Sequence, residues 1–216
     1  MYRFITGTCF DGNSISEDKK TLVFDAAGVL HDIIPQNQID PLKQECATGL
    51  LTPGFVNAHT HLELSHLNGA IPQHTGLSQF AVQVVKTRNQ AAFEVVQQAM
   101  LQADRNMYEL GIVAVGDICN TDTSIAIKAQ SAMYYHSFIE CIGIHPHASD
   151  TVLQTHLALL QAFKTAGLQT SLAAHAPYSC APNLIIDILK YNHQVNQPFS
   201  IHVLESFDEN NFLYIQ

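Results

Sequence analysis

From Pro53-Gly54 onward the chain alternates short apolar segments of strand length with longer stretches of helical period. That order is the signature of repeated βα units around a parallel sheet, because parallel neighbours need a long crossover, usually a helix, to join them. The strand candidates are residues 55–58, 112–117, 134–139, 172–175 and 199–203. Between them, residues 77–110 carry apolar side chains at helical spacing and run into Gly111, a stretch long enough for more than one helix. Residues 151–166 follow Ser149-Asp150, either of which can act as N-cap, and stop at Gly167, a helix C-terminal signal. Residues 182–191 open with Pro182, which a first helical turn tolerates.

Five such strands in order, each ending near a polar or histidine residue, fit an α/β fold. The expected architecture is a partial (β/α)8 barrel of the TIM type, about its first five strands, with its chemistry at the strand C-terminal ends. Only about 165 residues follow Pro53, whereas a full barrel takes about 250, so about three βα units are expected to be missing and the sequence reads as a truncation or fragment. Residues 1–52 have a different texture. Short alternating or apolar runs at 2–6, 21–24 and 28–34 are broken by Asp11-Gly12-Asn13 and other turn formers. They predict a small β subdomain, the N-terminal part of a β-sandwich, ahead of an incomplete barrel over 53–216.

Of the 216 residues, 47% are hydrophobic and 13% charged, enough apolar material for a well-packed core. The net charge of -9 repels a phosphate backbone, which argues against a nucleic acid polymer as partner. No N-terminal run resembles a signal-peptide core and none approaches the roughly 20 residues of a membrane span, so the expectation is a cytoplasmic protein with no membrane partner. Five scattered cysteines, odd in number and without a C-x-x-C pair, read as reduced, buried thiols. A homo-oligomer is compatible with all of this.

The densest chemistry lies in Leu51-Thr52-Pro53-Gly54-Phe55-Val56-Asn57-Ala58-His59-Thr60-His61-Leu62-Glu63. Histidines at i and i+2 of a strand project to one side and can grip one metal ion. Among 12 histidines, an isolated H-x-H can also arise by chance.

The whole stretch resembles the first-strand motif of the amidohydrolase superfamily, in the branch of chlorohydrolases and cytosine-, guanine- and adenosine-type deaminases. Two further segments match in order. Ala174-His175-Ala176-Pro177-Tyr178-Ser179-Cys180 resembles the segment after strand four, whose histidine faces the substrate, and Ser200-Ile201-His202-Val203-Leu204-Glu205-Ser206 resembles the fifth-strand segment. The resemblance implies His59, His61 and His202 as metal ligands, His175 as a substrate-binding group for a carbonyl or ring nitrogen, and Glu205 as the catalytic proton shuttle. Imidazoles suit one divalent ion, zinc in preference to iron, and an open coordination position brings water ionisation toward neutrality. Binuclear relatives carry a bridging lysine at the end of strand four. His175 occupies that place here, and Lys164 and Lys190 fall in predicted helices, so a mononuclear site is implied. The family's strand-six histidine and strand-eight aspartate have no counterpart before Gln216, which makes this chain alone a poor catalyst.

The implied activity of the parent is hydrolytic deamination of a nucleobase or nucleoside-like small molecule. Hydrolysis of a cyclic amide or a C–halogen bond uses the same ligands, and a catalytically incomplete fragment is the reading from another class. Other polar residues carry smaller expectations. His145 and His147 read as loop surface, Glu63, Ser65 and His66 as candidates for the site mouth, and Asp117 as a buried hydrogen-bonding group.

Overall fold

The computed structural model describes residues 2–214. The chain divides into two compact units, Met1–Gly54 and Phe55–Gln216. The first is a four-stranded sheet of β1 (Arg3–Cys9), β2 (Lys20–Phe24), β3 (Leu30–Pro35) and β4 (Gln44–Leu51), in the order β3-β2-β1-β4. β1 runs antiparallel to β2 and parallel to β4. At its centre the Thr6 and Thr21 hydroxyls, both buried, bond each other at 2.7 Å. β4 lies outside the sequence expectations, because Gln44-Glu45-Cys46-Ala47-Thr48-Gly49 shows neither alternation nor an apolar run.

The second unit is built as βα repeats. Strands β5 (Phe55–Thr60), β6 (Ile112–Cys119), β7 (Tyr134–Cys141) and β8 (Gln169–Ala174) form a parallel sheet in that order. Helices α1 (Leu77–Thr87), α2 (Phe93–Glu109), α3 (Ile125–Gln130), α4 (Ser149–Thr165), α5 (Pro182–Gln194) and α6 (Phe207–Tyr214) connect and follow them. The long stretch before Gly111 is thus two helices. α3 escaped the sequence reading because six residues are too few to show a period. α4 starts at Ser149 itself, with Ala148 in the cap position and no side-chain cap bond, so neither expected N-cap serves. The fifth expected strand is a correction: Ile201 joins Ala174 by a single parallel bridge. Pro198, having no N–H, cannot start a ladder there, and the segment pairs only with β8 among the described residues.

Two apolar clusters hold the layers together. Leu172, Ile139 and Cys119 on the strands pack with Phe163, Leu160, Leu184 and Ile188 of α4 and α5. Leu62, Val115 and Tyr135 pack with Met100 of α2 and Ile127 of α3. Each fully buried large side chain contributes about 1.5–3 kcal/mol.

Two features fix β5 against β6. A Cβ on Gly116 would lie 2.5 Å from the Ala58 carbonyl oxygen, so only glycine lets the strands approach this closely. Asp117 is fully buried and accepts from the Leu62 N–H at 2.7 Å, while its other oxygen pairs with the buried Lys128 ammonium at 2.5 Å. Burial works to lower the Lys128 pKa, and the surrounding carboxylate and thiol overcome it and hold the ammonium above its usual value. All five cysteines are free thiols, but only Cys119, Cys141 and Cys180 are buried as expected; Cys46 is exposed and Cys9 half-buried, both on strands of the small N-terminal sheet. Among the described residues, no helix is long and apolar enough to cross a membrane.

Candidate active site

β5 carries His59 near its C-terminal end and hands the chain to His61, the first residue beyond the strand. His202 arrives one residue past the Ile201 bridge, and its backbone N–H donates to the His175 carbonyl at 2.8 Å. The outcome is convergence from opposite ends of the unit. Nitrogen atoms of His59, His61 and His202 lie within 4.8 Å of one another, and the Nε2 atoms of His59 and His202 are 3.3 Å apart.

The electrostatics suit a cation. Burial, followed by the neighbouring His59 and His202, pushes His61 down to about 4, and burial lowers His59 as well. Both rings are therefore neutral at physiological pH, the form that donates a lone pair to a metal. His61 Nδ1 is buried with no hydrogen-bond partner among the described residues, a condition polar atoms avoid unless something else serves them. Three imidazoles with a position left open match the donor chemistry of zinc or a similar divalent ion.

Residues 50–212 match the amidohydrolase family. The chain belongs to that family. Adenosine deaminase of Helicobacter pylori is 27% identical over 161 residues, 74% of this chain and 39% of the relative. Among solved structures, H. pylori aminofutalosine deaminase in complex with methylthio-coformycin superposes with a TM-score of 0.79 at 22% identity, covering 97% of this chain and 52% of that one. An adenosine deaminase from Xanthomonas campestris with bound zinc gives 0.72 at 20% identity, covering 99% and 52%. The chain therefore spans roughly two fifths to one half of the proteins it matches. These solved structures share its fold of parallel strands and crossover helices.

The three-histidine cluster continues into a cavity of about 420 Å³ that His59, His61, His175, His202 and Glu205 all line. Its opposite wall is the apolar face of α1, including Leu77, Phe80, Val84 and Val85. His175 bonds Ser179 Oγ through Nδ1 at 2.6 Å, which leaves Nε2 free for another partner. Glu205 is exposed and accepts from the Tyr178 hydroxyl at 3.0 Å. Burial and that carboxylate raise the Tyr178 pKa, so the hydroxyl keeps its proton and acts as a donor.

Several residues land away from their expected places. Glu63 is buried rather than at the mouth: it accepts from the Asn120 and Thr121 N–H groups at 3.1 and 3.0 Å and pairs with Arg88 at 3.1 Å. Ser65 and His66 bond backbone carbonyls, of Leu62 and Arg88 respectively, and do not line the cavity. His145 and His147, by contrast, are exposed as expected and stack on each other, 5.5 Å between ring centres.

Sequence reasoning passed over Arg88, Asn120, Tyr178 and Glu140, all in the cavity wall. A signal for Glu140 was available. It is a charged residue at the C-terminal end of a buried barrel strand, where such folds keep their chemistry.

Proposed function

We propose that the complete protein is a metal-dependent aminohydrolase that removes the exocyclic amine of an adenosine-like nucleoside. The observation that carries this reading is the meeting of three imidazoles, residues 59 and 202 being 143 positions apart, beside a cavity that a carboxylate also lines. The names of relatives support the substrate class, since adenosine and 5-methylthioadenosine/S-adenosylhomocysteine deaminases match three quarters of the chain. Zinc is the preferred ion, and a zinc-bound neighbour of the same fold is consistent with it.

His59, His61 and His202 would hold the ion, which when bound supplies the Lewis acidity that makes water nucleophilic near neutral pH. Glu205 takes a proton at its carboxylate and returns it to the ring nitrogen or to the departing amine. Tyr178 restrains that carboxylate by its hydroxyl. His175, through its free Nε2, orients the heterocycle, and the α1 wall covers the apolar part of the substrate and excludes water. We read the N-terminal sheet over residues 1–52 as the N-terminal part of a β-sandwich.

The test is ammonia release from adenosine, 5′-modified adenosines, guanine and cytosine by the natural full-length protein loaded with zinc. The expected result is turnover of an adenosine-type compound, reduced about 10²–10⁴-fold in E205Q, the usual contribution of a general acid–base group. Opening of a cyclic amide or dechlorination of a triazine, without ammonia release, would replace this reading by another hydrolysis.

A further inference from the structure

Glu140 is the penultimate residue of β7, its side chain only 3% exposed, and a carboxylate so placed is costly to keep unless it serves a partner. One oxygen is accounted for, since Oε2 accepts from Asn120 Nδ2 at 2.9 Å. The other, Oε1, is buried without a hydrogen-bond partner among the described residues and lies 3.6 Å from His202 Nδ1.

The orientation of His202 explains why that matters. Its Nδ1 is 2.9 Å from the His175 carbonyl, and a carbonyl only accepts, so Nδ1 carries the proton. The bare nitrogen is then Nε2, the atom that faces His59. Nδ1–H thus donates to the His175 oxygen, and Glu140 Oε1 is a further acceptor 3.6 Å from the same nitrogen. Glu140 cannot easily turn away. Asn120, which fixes its Oε2, is held by its own N–H to Glu63 at 3.1 Å, with Arg88 at 3.5 Å from its side-chain oxygen.

We propose that Glu140 is the positioning carboxylate of His202: it holds the ring in the Nδ1–H form, keeps Nε2 bare for a cation, and so raises the affinity of the three-histidine site for zinc. This rests on the metal reading above. The chemistry is that of a carboxylate behind a ligating imidazole, which fixes the tautomer and increases ligand basicity. Glu140, His175 and His202 also group within 4.8 Å, but a protonated Nδ1 cannot ligate, and Oε1 is closed to solvent, which argues against a second metal or a substrate contact there.

The experiment uses the natural full-length protein in two states. In the metal-free state, long-range ¹H–¹⁵N correlation of the His202 ring, assigned by its loss in H202Q, should show the Nδ1–H tautomer in wild type and a growing Nε2–H population in E140Q. Zinc affinity, measured by competition with a chromophoric chelator, should fall about 10–100-fold in E140Q and be partly restored in E140D. N120A, which frees the other carboxylate oxygen, should weaken zinc in the same direction and stands in if E140Q does not fold. Wild type without zinc affinity would sink the metal reading and leave the tautomer to decide on Glu140. Wild type that binds zinc, with E140Q matching it in affinity and tautomer, would overturn the Glu140 proposal alone. Loss of a second zinc equivalent in E140Q, with the tautomer unchanged, would overturn it in favour of direct ligation.

Discussion

A histidine at the end of a strand is ordinarily half protonated near pH 6.5, and what distinguishes His61 is that burial and two imidazole neighbours take it to about 4. The sign of the consequence follows from proton counts. Between about pH 6.5 and 4 the unfolded chain binds a proton at His61 and the folded chain does not, so stability falls as pH drops through that window. In chelator, the urea midpoint of the wild type should decline between pH 7 and 4.5 more steeply than that of H61Q. Equal slopes would show that His61 is not held neutral by the fold. The residues behind this effect, His59 and His61, were legible because their spacing is local. Arg88, Asn120 and Glu140 were not, because the Glu63–Arg88 pair and the Asn120–Glu140 bond join positions 20 or more apart and leave no periodic trace.

At the scale of elements, the placement of β5 controls the site, because His59 directly follows Ala58, the residue at which the strand presses on β6. Gly116 makes that contact possible, and the atom an added methyl would strike belongs to the Ala58 backbone, which cannot rotate aside. G116A should therefore push β5 outward, cost ~1–3 kcal/mol of stability as overpacking does, and weaken zinc binding at the same time. Calorimetry and chelator competition on one sample would check both, and an unchanged zinc affinity would show that β5 has slack. The βα order was readable because strand-length and helix-length apolar patterns differ in period. The fifth strand was over-read: residues 199–203 have the right composition, but Pro198 and a single paired neighbour leave only the Ile201 bridge. β4 was under-read because its exposed faces carry no alternation.

For the whole molecule, the parallel order β5-β6-β7-β8 brings every strand C-terminus to one edge, which is how segments as distant as 59–61 and 200–206 come to share a cavity. The match to the amidohydrolase family over residues 50–212 fits that architecture, and the chain covers about half of the solved structures that share it. The net charge of -9 favours a cation over an anion at such an edge. Zinc content per chain, measured by atomic spectroscopy after dialysis for wild type, H59A, H61A, H202A and the exposed-site control H147A, tests the shared-ion claim most directly. The expected result is about one zinc in wild type and in H147A and little in each of the other three, as removal of a ligand from a three-histidine site requires. Full zinc retention in any one of H59A, H61A or H202A would contradict it.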